Sequence, residues 1–333
     1  MTVAGFGRIL APLALSIAMI VPAHANNGLE AQFDSVIGTT PAQAQVQGNL
    51  TATYDTALQR QIAQIADSAR GRIGVAAIDL TTGKQIAVLG NQRFPLASTS
   101  KVAIAATFLE GVDQGRWKLD DQFPTMLSPT REGQSMSGRQ LIELAITRSS
   151  NEAADGLLHA VGGPRAVNDW VHRAGVRDFS LNRDIWTLVH EDGAVDPASN
   201  IETRDSATPL AMASLVKGLH DGRWLSQSSR SVLLGAMSRC KTGPQRIPGQ
   251  MPTGVMVAHK TGTLYNTSSD VGIVTGPDGH AIALAIYVTG GGSNHQYRFQ
   301  KISTIARAVY DGYQTQPAQV WASATYDRAT PAP

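Results

Sequence analysis

Strand-forming runs lie in two groups far apart along the chain, and any compact fold has to bring them into one sheet. The first group is RIGVAAIDL (72–80) and QIAVL (85–89), joined by TTGK, where Gly83 supplies the backbone angles of a hairpin turn. The second is VMVAHKTG (255–262), SDVGIVTG (269–276) and HAIALAIYVTG (280–290), with PDG as a tight turn before the last run. Between the groups the chain shows mainly helical periods and loops. Upstream, TALQRQIAQIADSARG (56–71) places Leu58, Ile62, Ile65 and Ala69 on one helical stripe that stops at Gly71, and a last helix is expected around 300–310. The implied fold is α+β in three layers. A five-stranded antiparallel sheet is flanked by N- and C-terminal helices, and an all-α lobe (97–251) is inserted between the α/β portions 52–96 and 252–313. No internal repeat is visible.

The ends of the chain read differently. Residues 1–25 carry one cation, Arg8, then ILAPLALSIAMIV and the small-residue ending AHA, the pattern of a secretory signal peptide cleaved after Ala25. A membrane span is the alternative, but the run holds Pro12 and is shorter than the roughly 20 residues a span requires. Residues 26–51 read as a loosely ordered leader, 52–313 as the catalytic domain and 314–333 as a flexible tail. The expectation is export to the periplasm, with no membrane attachment once the signal is removed.

Composition excludes several function classes. The formal charge of +2 comes with no lysine or arginine run able to track phosphates, so nucleic acid is not an expected partner. Cys240 is the only cysteine, so no internal disulfide can form; a buried thiol is expected, and a cysteine nucleophile would need a histidine brought near by the fold. The histidines show no metal-ligand spacing, so neither metal nor other cofactor is expected, and His259 reads as a packed strand residue. No phosphate loop or Gly-x-Ser-x-Gly elbow is present.

Chemistry enters at PLASTSKVAI (95–104). If a helix starts here, Ser98 and Lys101 lie one turn apart on one face, and a desolvated lysine can take the proton of a serine hydroxyl. Alone, the pair proves little, because Ser-x-x-Lys occurs often by chance and more commonly marks a helix cap beside a solvated lysine. Two further fragments accompany it: Ser149 and Asn151 in TRSSNEAAD, and Lys260, Thr261 and Gly262 in VAHKTGT. On a strand Lys260 and Gly262 share a face, the glycine letting a ligand approach the backbone.

The ordered trio Ser-x-x-Lys, Ser-x-Asn, Lys-Thr-Gly resembles that of the penicillin-recognising serine enzymes, and more closely the class A β-lactamases. The likeness runs from about 54 to 312 and includes FPLASTSK, LLHAVGGPRAVNDW, RDSATPLAMA and RCKTGPQRIPGQMPTGVMVAHKTGT, the last similar to the extended-spectrum branch. The resemblance implies a β-lactamase/transpeptidase-like fold, a β-lactam as small-molecule partner, and a monomer. It makes Ser98 the acylated nucleophile and Lys101 its proton acceptor or relay; Ser149, beside Lys260, would pass a proton to the leaving nitrogen. The backbone N–H groups of Ser98 and Thr263 would form the oxyanion hole. Asn151, Thr261, Gly262 and Thr263 would line the substrate site, with Arg246 as the cation for the substrate carboxylate; a solvent-facing Arg246 is the alternative.

Two departures from the family pattern stand out. Ser150 occupies the position of an aspartate, which implies lost structural hydrogen bonds and lower stability. The segment between Arg183 and Asp205, resembling the family's omega loop, is several residues longer than usual, and Ile185 stands where a glutamate orients the deacylating water. Replacement carboxylates are Glu191 first, then Asp192 and Glu202, unless all are simply solvated loop charges. The leading expectation is a periplasmic serine β-lactamase. The runner-up is a penicillin-binding D,D-peptidase or esterase-like serine hydrolase with slow deacylation, and a third reading is an exported binding module with a decayed site.

Overall fold

The computed structural model describes the backbone of residues 56–326 and the side chains of 56–314. The signal peptide and leader, and nearly all of the tail, fall outside that side-chain description. Helices are α1 (Ala57–Ala66), α2 (Ser100–Asp113), α3 (Gly138–Thr147), α4 (Asn151–Val161), α5 (Pro164–Arg173), α6 (Ile185–His190), α7 (Pro209–His220), α8 (Gln227–Ser238) and α9 (His295–Tyr326). The main strands are β1 (Ile73–Asp79), β2 (Gln85–Val88), β3 (Met256–Leu264), β4 (Thr267–Thr275) and β5 (Ala281–Thr289). They form one antiparallel sheet in the order β2-β1-β5-β4-β3, so the two remote groups meet where β1 pairs with β5.

Side-chain alternation explains the three layers. On β5, Ile282, Leu284, Ile286 and Val288 join Val75 and Ala77 of β1 against Ile62 of α1 and Ile302, Ile305 and Val309 of α9. The intervening Ala281, Ala283, Ala285 and Tyr287 face the opposite way, with Ala76 and Ile78, into the core shared with the helical lobe. A strand with both faces covered has no polar face, which is why HAIALAIYVTG reads as a nearly continuous apolar run. The small residues on the lobe side let α7 come close to the sheet.

α2 lies at the centre of the molecule: Ser100 through Leu109 are all buried, Lys101 among them. A central helix of this kind holds Lys101 out of water, and that burial is the first condition for using its amine as a base. Among the described residues no helix is long and apolar enough to cross a membrane.

Candidate active site

Ser98 lies in a short 3-10 turn, Ala97–Thr99, that feeds α2. It caps nothing: the N-cap position of α2 is Thr99, and no side chain accepts a capping bond there. Ala97, just before the serine, is held at φ +46, a left-handed conformation that costs a non-glycine residue on the order of 1–3 kcal/mol. The turn is pinned from the far side by Leu96 N–H donating to Asp205 O (2.8 Å) and by Phe94–Pro95 pairing with Ser206–Ala207.

Lys101 is fully buried, yet its contacts are not the direct Ser98 bond that the spacing suggested. Its Nζ meets Ser149 O at 2.7 Å, Asn151 Oδ1 at 2.7 Å and Ser149 Oγ at 3.3 Å. Lys260, on β3, donates to the same Ser149 Oγ at 2.9 Å and to Thr261 O at 2.8 Å. Two amines from segments remote in sequence therefore flank one hydroxyl. Ser149 adopts φ +59, and its carbonyl and its hydroxyl both lie within reach of the Lys101 amine. Burial, then the neighbouring Lys260 charge, push Lys101 well below the ordinary lysine range, against Asp155 and Glu152. Burial lowers Lys260 to about 8, with Cys240 and Asp270 opposing the shift.

Gly262 has no room for a side chain. A Cβ there would stand 2.4 Å from Ser269 Oγ, 3.0 Å from Ala97 Cβ and 3.1 Å from Leu96 O. Beside Ser269, the turn that carries Ser98 approaches the bare backbone, so this glycine brings two of the motifs together. Arg246, 5 % exposed, is not solvent-facing. It donates to Gly262 O and Ser269 O, both at 2.7 Å, and to Thr263 Oγ1 at 2.6 Å, and its guanidinium lies over the Phe299 ring. Thr261 Oγ1 is bonded to Thr242 Oγ1 at 2.6 Å.

Ser150 takes up a structural job at the second motif. It caps α4, its Oγ accepting from Ala153 N at 3.1 Å. Serine and aspartate are about equally good in that position, so the expected loss of stability has a direct structural answer.

The long loop is closed by Arg183 Nε donating to Asp205 Oδ2 at 2.7 Å, as the resemblance implied. The three candidate carboxylates have partners of their own. Glu191, half-exposed, is paired with Arg183 Nη1 at 2.6 Å; Asp192 accepts from Tyr265 N at 2.7 Å; Glu202 is paired with Arg204. Together with Pro95 and Leu264 they surround a cavity of about 270 Å³ beneath the loop. Ile185, 1 % exposed, is a core residue that opens α6.

Sequence reasoning missed Asp155. This buried carboxylate on α4 accepts from Ile185 N (2.7 Å) and Trp186 N (2.8 Å), tying the loop to the helix that carries Asn151. Burial raises it to about 6, against those two amide bonds. The available signal was its spacing, one turn after Asn151 on the same helical face. Also missed was the pair formed by His259 Nδ1 and Asp270 at 2.9 Å, both buried, which faces the half-buried Cys240 thiol. Among the described residues no cluster of metal-ligating side chains occurs.

A serine-bearing turn, two buried amines sharing a hydroxyl, and a lysine-bearing edge strand meet in the arrangement that a serine acyl-transfer site would need. The chain belongs to the β-lactamase enzyme family, whose model matches residues 57–313. It is 30% identical to β-lactamase OXY-1 of Klebsiella oxytoca, over 80% of this chain and 92% of that one. Extended-spectrum β-lactamase PER-1 of Pseudomonas aeruginosa is 25% identical, over 78% of this chain and 88% of its own. The crystal structure of a β-lactamase from Chitinophaga pinensis superposes with a TM-score of 0.70 at 30% identity, covering 78% of this chain and all of that one.

Proposed function

We propose that this protein is a serine β-lactamase in which Ser98 opens the four-membered ring of penicillins or cephalosporins and is then freed by water. The observation that carries this reading is the shared hydroxyl: Ser149 Oγ lies between Lys101 and Lys260, a path along which the Ser98 proton can reach the leaving nitrogen. In acylation the Ser98 proton goes to Lys101 as Oγ bonds the lactam carbonyl carbon. As the C–N bond breaks, a proton passes through Ser149 to the nitrogen, and Lys260 holds the hydroxyl in line. Backbone N–H groups of Ser98 and Thr263 receive the developing oxyanion. Thr261, Thr263 and Arg246 hold the substrate carboxylate, the arginine acting partly by orienting the Thr263 hydroxyl. We read the protein as an exported periplasmic monomer without cofactor or nucleic-acid partner.

The purified protein is expected to hydrolyse a chromogenic cephalosporin steadily, and Ser98→Ala to abolish it. A stable adduct without turnover would instead favour a penicillin-binding D,D-peptidase or esterase-like hydrolase. That second reading draws on one observation, the burial of Ile185 in the core at the position where the family carries its glutamate.

A further inference from the structure

We propose that Lys101 itself takes the proton of the deacylating water, so that one amine serves both half-reactions and no carboxylate of the 183–205 loop takes part. This rests on the acyl-enzyme reading given above.

The loop's carboxylates are engaged elsewhere. Glu191 is held by Arg183 and Glu202 by Arg204. Asp192 accepts from the backbone of Tyr265, Asp184 from Thr187 N at 2.7 Å, and Asp196 from Asn266 Nδ2 at 2.7 Å and Ala198 N at 3.0 Å. Asp205 closes the loop, and the buried Asp155 beneath it accepts two amide protons. Each of these contacts shapes the loop, and each of these carboxylates already has a partner in it.

The close approach of two amines to the Ser149 hydroxyl, at 3.3 and 2.9 Å, is compatible with a neutral Lys101. Two ammonium groups flanking a single buried hydroxyl repel strongly, so one of the pair is neutral. A neutral amine donates twice and accepts once. Lys101 has two close acceptors, Ser149 O and Asn151 Oδ1 at 2.7 Å each, and in the neutral form its longer 3.3 Å contact to Ser149 Oγ would be made by the lone pair. Lys260 then donates to Ser149 Oγ, which passes its own proton toward Lys101. The downward shift of Lys101 supports the same assignment.

The step balances. The water oxygen bonds to the ester carbonyl carbon while its proton moves to the Lys101 lone pair. The tetrahedral intermediate collapses, the bond to Ser98 Oγ breaks, and Lys101 returns that proton to Oγ. Acid product, free serine and neutral amine result.

The test is the decay of the Ser98 adduct, followed by intact mass after mixing the mature chain with benzylpenicillin. Glu191→Gln, Asp192→Asn, Glu202→Gln and the triple variant are expected to decay within about threefold of wild type, as for surface changes. Slowing by about a hundredfold or more in any of them, with acylation intact, would assign the water to that carboxylate and overturn the proposal. A second readout is the pH at which decay fails on the acid side. The charged groups around Lys101 are Lys260 on β3 and Asp155 and Glu152 on α4. Removing an anion favours the neutral amine, so Asp155→Asn and the exposed Glu152→Gln should both move this limb to lower pH. A limb that stays put in both variants also overturns the proposal. Absence of any adduct would defeat the acyl-enzyme reading instead.

Discussion

Ser150 shows how a single position can keep its structural role under a change of residue type. The sequence suggested a deficit because a carboxylate was missing; the coordinates show a hydroxyl capping α4. Ser150→Ala is therefore expected to cost about 1 kcal/mol, the ordinary value of an N-cap, while Ser150→Asp should be close to neutral, both read from urea unfolding. A loss for Ser150→Asp as large as that for alanine would contradict the capping role. Residue spacing made the pairing of Ser98 with Lys101 legible, but not the partners of the amine. Those lie 48 and 50 residues downstream and meet it only because α4 packs against α2. Asp155 escaped notice for a related reason: a carboxylate inside an amphipathic helix looks like a solvated charge until the loop that covers it is in place.

At the scale of elements, periodicity placed the five strands and both flanking helices, since a two-sided sheet stamps its alternation on the chain. The 183–205 loop was legible only at its closing pair, Arg183 and Asp205. Its interior depends on tertiary contacts that leave no period, such as Asp192 with Tyr265 N, or Arg72 donating to Pro197 O at 2.8 Å. The junction of β3 with the serine turn is a tight contact between elements. Gly262→Ala would force Ser269 and the Leu96–Ala97 backbone away from the strand, because a Cβ has no room there. Such overpacking costs roughly 1–3 kcal/mol, and the turn that moves is the one carrying Ser98. The expected outcome is a lower melting temperature together with slower acylation by a chromogenic cephalosporin. A variant with wild-type melting and acylation would show that the two elements need not touch so closely.

Across the whole molecule, the β3–β4 edge is joined to the chain leaving α8 by His259, Asp270 and Cys240, and two of these groups make opposed contributions to stability against pH. Burial alone would depress His259, but Asp270 and then Cys240 outweigh it and raise the imidazole to about 10. Burial alone would raise Cys240, but His259 and Thr242 outweigh it and lower the thiol to about 7 from an ordinary 9.0. A raised histidine contributes stability that is complete below its unfolded value of about 6.5 and is lost as pH climbs through about 10. A lowered thiol contributes stability that is complete above 9.0 and is lost as pH falls through about 7. Between about 7 and 9 the folded protein holds one extra proton on the imidazole and lacks one on the sulfur, so the two slopes cancel. The wild-type contribution from this pair should be flat over that window and fall only as pH approaches about 10. Cys240→Ser removes the thiol's share and part of the support for the imidazole. Its stability relative to wild type should therefore decline steadily through the same window, as measured by urea unfolding at half-unit steps of pH. Parallel curves for the two proteins would mean that sulfur and imidazole do not share a proton balance, and that the sheet edge and the helical lobe are joined here by packing alone.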